Sequence, residues 1–506
     1  MSASLLFSFV IGYFIILLVV AYFTSRNSNN DSFFNGNKNS NWMLVAFGMI
    51  GTSLSGVTFV SVPGTVGGAG FAYFQVVIGY VIGYILIAYI LLPLYYKLNL
   101  TSIYNYLQHR FGMVSYKTGA LFFIISRTLG ATARLYLVIN VLQIFILDQL
   151  GVPFAATTFV ILLMILLYTF EGGVKTIVFT DTLQTSFMLL GLIVAIGYIM
   201  QSMGGSLGSV MGELNEKGLS RVFNFDLNSP SFFIKHILGG AFITVAMTGL
   251  DQEMMQKNIS VKNLKDSQKN MMSFTAIMAI VIFLFLLLGG LLFLFAEQQN
   301  IKVAADDLFP TIALSYLPTW VSIIFIIGLI SALFPSADGA LTALTSSYCI
   351  DMLGLKRNPT WDEKKKKRVR LTVHFTFAFV FFLLVLGFKA MDNKSIIDVI
   401  LKVAGFTYGP LLGLFAFGIL TKRVINDKYS LVICLAAPLL ILGIDFINNV
   451  DWYVRQLNLS GEWLTTMKGF STSFFGSFKI GYELLIYNGI LTYVGLLIIS
   501  KKPVQG

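Results

Sequence analysis

Apolar runs long enough to cross a lipid bilayer recur along the whole chain and limit its fold more than any other feature. A membrane-spanning helix needs about 20 mainly apolar residues, whereas the alternating ten-residue segments of a β-barrel do not appear. The chain is 56% hydrophobic and only 12% charged, which excludes an ordinary soluble globular protein. We therefore predict an all-α polytopic membrane protein. Its roughly thirteen transmembrane helices are expected at residues 4–23, 41–62, 72–97, 116–148, 152–170, 177–202, 233–256, 272–297, 318–349, 369–389, 396–420, 428–447 and 479–500.

The basic residues are concentrated in every second loop. The densest cluster, KRNPTWDEKKKKRVR at 356–370, lies between two apolar runs, so the positive-inside rule explains the net charge of +11 better than a nucleic-acid surface does. We expect a cell-membrane protein with its N-terminus outside and its C-terminus in the cytoplasm, without a nucleic-acid partner or an obligate protein partner. The other cytoplasmic basic residues are expected to be Arg26, Lys38, Lys97, Arg110, Lys175, Lys257, Lys262, Lys265, Lys269, Lys422, Arg423, Lys501 and Lys502.

Two of the predicted spans, the second and the seventh, carry glycines among hydroxyl residues. Glycine weakens a helix interior by about 1 kcal/mol relative to alanine, and backbone freed at membrane depth is tolerated only where it is buried in protein or lines a cavity. The alternative is that the glycines are packing faces between helices. The glycines concerned are Gly48, Gly51 and Gly56 in the second span, and Gly239, Gly240 and Gly249 in the seventh.

The two interrupted spans lie five apart, and an odd shift inverts the orientation of a helix in the membrane. Spans 2–6 and 7–11 are therefore predicted to be inverted repeats, an arrangement typical of secondary transporters that bind their substrate at mid-membrane. The predicted divisions are a peripheral helix and loop (1–40), the first repeat (41–202), an extracytoplasmic loop (203–232), the second repeat (233–423) and two additional helices (424–506).

Five stretches in order along the chain resemble the sodium:solute symporter family. That resemblance implies a LeuT-type core of five plus five inverted helices, with one helix before it and two after it. It also implies sodium-driven uptake of a small organic solute by alternating access. The stretches are GTSLSGVTF (51–59), YKLNLTSIYNYLQHRF (96–111), YTFEGGVKTIVFTDTLQ (168–184), LDQEMMQKNI (250–259) and YGPLLGLFAFGILTKR (408–423).

The same resemblance implies a set of sodium ligands. Sodium is a hard cation that prefers oxygen, and the family's ligand positions fall on the carbonyls of Gly51, Leu54 and Ala332 and on the hydroxyl of Ser336. Pro335 departs from the family, since many relatives have a hydroxyl residue there. Because proline has no N–H, we expect the carbonyl of Ser331 to be free, so that it or a water takes the missing ligand position.

Asp181 and Asp338 are candidates for a second sodium site. Asp181 matches the family's acidic residue at that site, whereas Asp338 stands where relatives have Ser or Thr. A charge at mid-bilayer costs about 2.5–3.5 kcal/mol on insertion scales, so such residues usually face a cavity and have a partner. The alternatives are that Asp181 lies at the cytoplasmic edge near Lys175, and that Asp338 is a protonated acid or pairs with an arginine. A second ion predicts that Asp338→Asn reduces the steepness of sodium activation.

Candidate substrate residues lie beside the presumed break in the second span. Ser53, Ser55 and Thr58 match positions that face substrate in the sialic-acid relatives, although capping or packing explains these side chains equally well. Tyr73 falls where relatives place an aromatic residue over the substrate, or it simply packs in the core. Val77 replaces a polar contact residue of those relatives.

Arg127 and Arg134 are seven residues apart and therefore lie on nearly one helix face. Sialic-acid relatives use an arginine on this helix for the substrate carboxylate, but the matching position is Gly130. An arginine can bind a carboxylate through two hydrogen bonds. The alternative is that one arginine pairs with Asp338 or Asp181 and the other extends to the membrane surface. A sugar, a sugar acid or another carboxylate all remain open.

Other classes of function are less consistent with the sequence. An intramembrane enzyme would need a nucleophile and a base, yet the three histidines, His109, His236 and His374, show no recognisable arrangement with the serines of 51–56. A sodium-responsive sensor or a channel without coupled uptake is the second alternative. The prediction is a sodium-coupled symporter, and not an enzyme, with Na⁺ and a small solute as its ligands.

Overall fold

The computed structural model describes residues 3–25, 40–100, 102–169, 173–355, 357, 360–391, 396–457 and 459–502. These ranges are almost entirely helical, which confirms the all-α prediction. Arg26 and Lys38, two of the predicted cytoplasmic residues, lie outside them. The helices of the first half are α1 (Ala3–Ser25), α2 (Trp42–Ser53), α3 (Gly56–Ala69), α4 (Tyr73–Leu86), α5 (Leu92–Lys97), α6 (Asn105–Arg110), α7 (Met113–Leu142), α8 (Phe154–Thr169), α9 (Gly173–Ser202) and α10 (Leu207–Glu216).

The second half is built in the same way. Short π-helical turns extend several helices, including the turns Val245–Gly249 and Tyr348–Met352. The helices are α11 (Phe233–Thr244), α12 (Gln252–Ile259), α13 (Leu264–Gln298), α14 (Ala305–Thr311), α15 (Thr319–Ser347), α16 (Glu363–Met391), α17 (Ile396–Thr407), α18 (Gly409–Leu420), α19 (Ser430–Asn448), α20 (Val450–Leu457), α21 (Trp463–Phe475) and α22 (Leu484–Ile498). Two short antiparallel strands, β1 (Val424–Ile425) and β2 (Ser500–Lys501), pair near the end of the chain.

Every predicted span coincides with a helix or with a bent pair of helices. Within the described ranges, eight helices are long and apolar enough to cross a membrane and three bent pairs pass the same test. The two remaining predicted spans correspond to the shorter apolar helices α8 and α22. Because those two are shorter than a typical span, the total of about thirteen crossings stays a prediction.

Both predicted breaks are present. The axes of α2 and α3 differ by 57°, and α11 with its π-turn is bent by 65° relative to α12. Leu54, the C-cap of α2, has a non-helical ψ of 79°, so the helix stops there. A third bend of 45°, between α17 and α18, has no counterpart in the sequence prediction.

Some of the glycines serve packing instead, as the alternative proposed. A Cβ on Gly240 would lie 2.3 Å from the carbonyl oxygen of Val76, and one on Gly79 would lie 2.2 Å from that of Ile237. These contacts hold α4 against α11 at a distance that larger residues would prevent. In the seventh span the break itself falls later, at Leu250 and Asp251.

The broken α2–α3 pair lies at the centre of the packed helices. Helix α9 packs against α2 and α15, and α13 packs against α3, so the break is enclosed by three long helices. Phe59 of α3 contributes to the core by packing its ring against Phe285 of α13 and Phe325 of α15. The freed backbone of the break is therefore buried in protein, as membrane depth requires.

Candidate substrate and ion site

A cavity opens beside the break between α2 and α3. Its volume is about 110 Å³, which has room for several water molecules. Hydroxyl and phenol groups from α4 and from the π-turn that follows α11, among them Tyr80, Tyr84 and Thr248, share the wall with apolar side chains such as Met254 and Ile282. The cavity thus combines apolar surface with a few converging polar groups, as small-molecule sites do.

The structure brings all the candidate substrate residues into this one wall. Their role in binding stays a prediction. Ser55 is the N-cap of α3, but its side chain makes no capping hydrogen bond within the described chain, which removes the capping alternative for that residue. The phenols of Tyr73 and Tyr80 lie 3.1 Å apart. The cavity-lining candidates are Ser53, Ser55, Thr58, Tyr73, Arg127 and Arg134.

Arg127 is neutralised by acidic residues of α12. Its guanidinium forms an ion pair with Glu253, and it lies 3.9 Å from the carboxylate of Asp251. All three side chains are buried. The expectation that this arginine pairs with Asp338 or Asp181 is therefore wrong for Arg127, because α12 brings closer carboxylates to it.

Arg134 differs from Arg127 although both line the same cavity. It forms no hydrogen bond or ion pair with any residue that the structure describes. Its guanidinium faces the cavity rather than the membrane surface, so the prediction that the two arginines share one helix face is confirmed. Arg134 thus presents a positive charge to the cavity without a direct ion pair, although it interacts electrostatically with Glu253 and Asp251.

Asp251 organises the second break. Its carboxylate caps the start of α12 by accepting hydrogen bonds from the amides of Glu253 and Met254, at 2.9 and 3.3 Å. Such an N-cap satisfies amides that have no partner inside the helix. The phenol of Tyr408 donates to the other carboxylate oxygen over 2.8 Å. Because Tyr408 lies at the bend between α17 and α18, the second break and the third bend meet at one carboxylate.

Asp181 has an ammonium group as its partner. Nζ of Lys257 lies 2.6 Å from Oδ2 of Asp181 and 2.6 Å from Oγ1 of Thr52, and Thr52 itself lies 3.1 Å from the same carboxylate oxygen. The sequence analysis assigned Lys257 to a cytoplasmic loop, which is wrong: every residue of α12 is buried. The Lys257 ammonium is drawn inward because it meets a carboxylate there. Asp181 is fully buried, and the side chain of Lys175 lies outside the described part of the chain.

Asp338 is satisfied mainly by neutral donors. The phenol of Tyr168 donates to Oδ2 over 2.7 Å, and the amide of Gly339 donates to Oδ1 over 2.5 Å. The expectation that an arginine pairs with Asp338 is not met in the described residues. The Lys257 ammonium interacts electrostatically with Asp338, but its direct ion pair is with Asp181.

The residues implied as the first sodium site lie where α2, α9 and α15 meet. Gly51 and Leu54 belong to the C-terminal end of α2, where the last four carbonyls of a helix have no partner inside it. A Cβ on Gly51 would lie 3.6 Å from Cγ of Pro335, so α15 approaches α2 at this position. Ala332 and Ser336 are buried on either side of Pro335, which lies inside a continuous helix. The hydroxyl of Ser336 donates to the carbonyl of Leu333 over 2.9 Å, and the role of these residues as sodium ligands stays a prediction.

The sequence analysis missed the charges of α12. Asp251, Glu253 and Lys257 follow directly after a glycine-rich span, and Glu253 and Lys257 are four residues apart, which is the spacing of a pair on one helix face. That spacing was the feature of the sequence from which an interaction between Glu253 and Lys257 could have been predicted. Its meaning depended on knowing that the chain turns back into the protein after Gly249, and the turn is a property of the break.

Two broken helices from opposite halves, enclosing a polar cavity inside a bundle of apolar helices, define a secondary transporter with inverted repeats. The sodium:solute symporter family matches residues 33–429. The chain belongs to this family, and it is a sodium-coupled symporter for a small polar organic solute.

Known relatives agree with this assignment. The sodium/sialic acid symporter SiaT of Proteus mirabilis (strain HI4320) is 23% identical over 449 residues, covering 83% of this chain and 86% of its own. The human sodium-coupled monocarboxylate transporter 1 is 25% identical over 418 residues, covering 79% of this chain and 66% of its own. A solved structure of a Na⁺-coupled sialic acid symporter, in a substrate-bound outward-open state, superposes with a TM-score of 0.81 at 18% identity, covering 98% of this chain and 99% of that one. The structural similarity supports the LeuT-type fold.

Proposed function

We propose that this symporter imports a small solute that carries a carboxylate, together with sodium, by alternating access. The observation that carries the proposal is Arg134, which lines the cavity without a hydrogen bond or ion pair to a carboxylate of the described chain. Charged groups at membrane depth are expensive unless they are paired. A carboxylate matches the planar fork of an arginine through two hydrogen bonds, so such a solute would neutralise the site.

The ion pair of the neighbouring Arg127 favours a solute with a single negative charge. Arg127 is already paired with Glu253, which leaves one unpaired guanidinium in the cavity. Two of the relatives, one a sialic-acid symporter and the other a monocarboxylate transporter, have names that specify carboxylates. The sialic-acid identity itself is not transferred, because Gly130 and Val77 depart from those relatives.

The hydroxyl groups of the cavity would bind the rest of the solute. Ser53, Ser55 and Thr58 come from the break and the start of α3, and Tyr73 begins α4. Hydroxyl groups can both donate and accept hydrogen bonds, and this suits a hydroxylated acid such as a sugar acid. Tyr73 would cover the solute from the side of α4.

We propose that one sodium ion is held by the carbonyls of Gly51, Leu54 and Ala332 and by the hydroxyl of Ser336. The break in α2 frees the carbonyls that such a site needs. Ser331, whose carbonyl cannot be bonded by Pro335, supplies one more oxygen or orients a water. A second ion at Asp181 and Asp338 would have to displace the Lys257 ammonium from Asp181.

We propose that this protein is a transporter and not an enzyme. Its N-terminus is proposed to lie outside the cell and its C-terminus in the cytoplasm. The orientation rests on the lysines of α16, Lys364 to Lys367, which lie at the start of that apolar helix. A sensor or a channel is the alternative. Either of them would bind sodium or solute without moving solute against a gradient.

Uptake into proteoliposomes tests the proposal. Purified protein is reconstituted, and the uptake of labelled N-acetylneuraminate, lactate and galactose is measured with an inward sodium gradient and with potassium replacing sodium. We expect concentrative, sodium-dependent uptake of a carboxylate, inhibited by other carboxylates and not by their amides. Flux that is equal in potassium, or uptake of the neutral sugar alone, would contradict the proposal.

A further inference from the structure

We propose that the ammonium of Lys257 is a tethered cation that takes the place of a second sodium ion, so that the symporter carries one sodium ion per solute. The proposal rests on the sodium-coupled function proposed above and specifies its ion stoichiometry.

The first argument is the position of the ammonium group. Nζ of Lys257 lies 2.6 Å from Oδ2 of Asp181 and 3.9 Å from Oε1 of Glu253. The ammonium also interacts electrostatically with Asp338. Its side chain is only 4% exposed, so water does not screen these interactions. Of the two acids that the sequence suggested for a second ion, Asp181 thus already has a cation of the chain as its direct partner.

The second argument concerns the remaining acceptors. Oδ2 of Asp181 accepts hydrogen bonds from Lys257 and Thr52. Oδ2 of Asp338 accepts a hydrogen bond from Tyr168, and Oδ1 accepts one from the amide of Gly339. These three oxygens are already used, and Oδ1 of Asp181 is a buried acceptor without a hydrogen-bond partner among the described residues. A sodium ion needs several oxygens at once, and this single remaining carboxylate oxygen does not supply them. A free cation within about 4 Å of the ammonium would bind about a thousandfold more weakly at the effective dielectric constant of a protein interior.

The third argument is the contact between Lys257 and Thr52. Thr52 belongs to the last turn of α2 and also lines the cavity. The carbonyl end of a helix carries partial negative charge and is stabilised by a cation. The ammonium therefore stabilises the broken end of α2, beside the proposed ligand Gly51, as a bound ion would. Lys257 is a positioning residue in this respect: it orients the end of the helix and does not touch the solute.

Equilibrium binding of ²²Na⁺ to the purified full-length protein in nanodiscs tests the inference directly. We expect one sodium ion per wild-type chain. Two ions per chain would overturn the inference while leaving sodium coupling intact, whereas no sodium binding at all would contradict the proposed function instead. The two failures are thus distinguishable.

Variants extend the test. Lys257→Gln removes the ammonium and frees the carboxylates, so we expect two bound sodium ions per folded chain; one ion would overturn the inference. The double variant Asp181→Asn with Lys257→Gln removes one negative and one positive charge, and we expect it to bind one sodium ion per chain. It keeps the test possible if the single variant does not fold. Two ions bound to the double variant would overturn the inference. Lys262→Gln removes an exposed lysine five residues away and serves as the matched control, with one ion expected.

An electrical measurement needs no variant. One sodium ion moving with one monovalent carboxylate carries no net charge, so an inside-negative potential set by potassium and valinomycin should leave the initial uptake rate unchanged. Two sodium ions would carry one net charge and respond to the potential. Uptake that accelerates several-fold on imposing the potential would overturn the inference.

Discussion

The phenol of Tyr408 donates a hydrogen bond to Oδ2 of Asp251 over 2.8 Å, and this contact joins the bend between α17 and α18 to the break before α12. Oδ1 of the same carboxylate caps α12. The helix that carries Glu253 and Lys257 is therefore held by a residue from a different part of the chain. The charge network beside the cavity depends on this junction.

Tyr408→Phe removes the hydroxyl without changing the shape of the ring. A hydrogen bond to a charged group contributes about 1.5–3 kcal/mol, and Asp251 keeps its two amide donors, so we expect a folded protein with lower thermal stability. Differential scanning fluorimetry in detergent measures the change. Tyr429→Phe alters an exposed tyrosine and serves as the control. Equal stability of Tyr408→Phe and this control would show that the junction contributes nothing.

Removing one partner of the buried Arg127–Glu253 pair should destabilise the protein strongly. Glu253→Gln leaves Arg127 with only the more distant carboxylate of Asp251, 3.9 Å away. Breaking a buried ion pair costs about 3–5 kcal/mol, so this variant should have a markedly lower unfolding temperature. Arg127→Gln combined with Glu253→Gln removes both charges, and the loss in the double variant should be smaller than the sum of the two single losses. Additive losses would mean that the two side chains are not coupled.

Arg134→Gln should raise the KM for carboxylate uptake by about ten- to a hundredfold, since it removes a charge-assisted hydrogen bond. Arg134→Lys keeps the positive charge but loses the planar guanidinium group, so its KM should lie between that of the wild type and that of Arg134→Gln. Concentration-dependent uptake with a saturating sodium gradient measures the effect, and ²²Na⁺ binding should not change. A KM equal to that of the wild type would remove Arg134 from the solute site.

Gly51→Ala should weaken sodium activation because the new methyl group has no room. Its Cβ would lie 2.4 Å from Oγ1 of Thr185, while the next neighbours are at 3.5 and 3.6 Å. Adding Thr185→Ala removes the colliding oxygen and should recover most of the loss. Gly197→Ala, on α9 where a Cβ meets nothing within 4 Å, is the control. The sodium concentration for half-maximal uptake reports the effect, and failure of the second substitution to rescue would refute the steric cause.

Asp338→Asn distinguishes between two hypotheses: a second bound sodium ion, and the ammonium of Lys257 in its place. A second ion predicts less steep sodium activation in this variant. With Lys257 as the resident cation, we expect the Hill coefficient to stay near one in both proteins, because Asp338 is hydrogen-bonded to Tyr168 and Gly339 and holds no ion. Initial uptake rates over a range of sodium concentrations decide between the two. A clear fall in the coefficient from a wild-type value above one would favour the second ion.

The helices and two of the three bends could be predicted from the chain alone. Apolar length and the clustering of Gly48, Gly51 and Gly56 are local properties, and local properties are enough to place a span or weaken a helix. The local signal for the bend at Tyr408, Gly409 followed by Pro410, was overlooked. The contact of this bend with Asp251 depends on the tertiary structure, because the two residues are distant in sequence. Five of the six substrate candidates share a cavity for the same local reasons, since they flank the break or repeat on one face of α7, whereas Tyr73 reaches the cavity from the start of α4.

By itself, the sequence determined that this protein is a bundle of membrane-spanning helices with a broken helix at the start of each half. Hydrophobic length and glycine content act on each segment independently, so they need no tertiary information. Only the tertiary structure decided which charges neutralise one another: that Arg127 meets Glu253, that Lys257 turns inward to Asp181, and that Arg134 is left facing the cavity. The energy of a buried charge depends on the distance to its nearest counter-charge, and packing sets that distance between residues far apart in the chain.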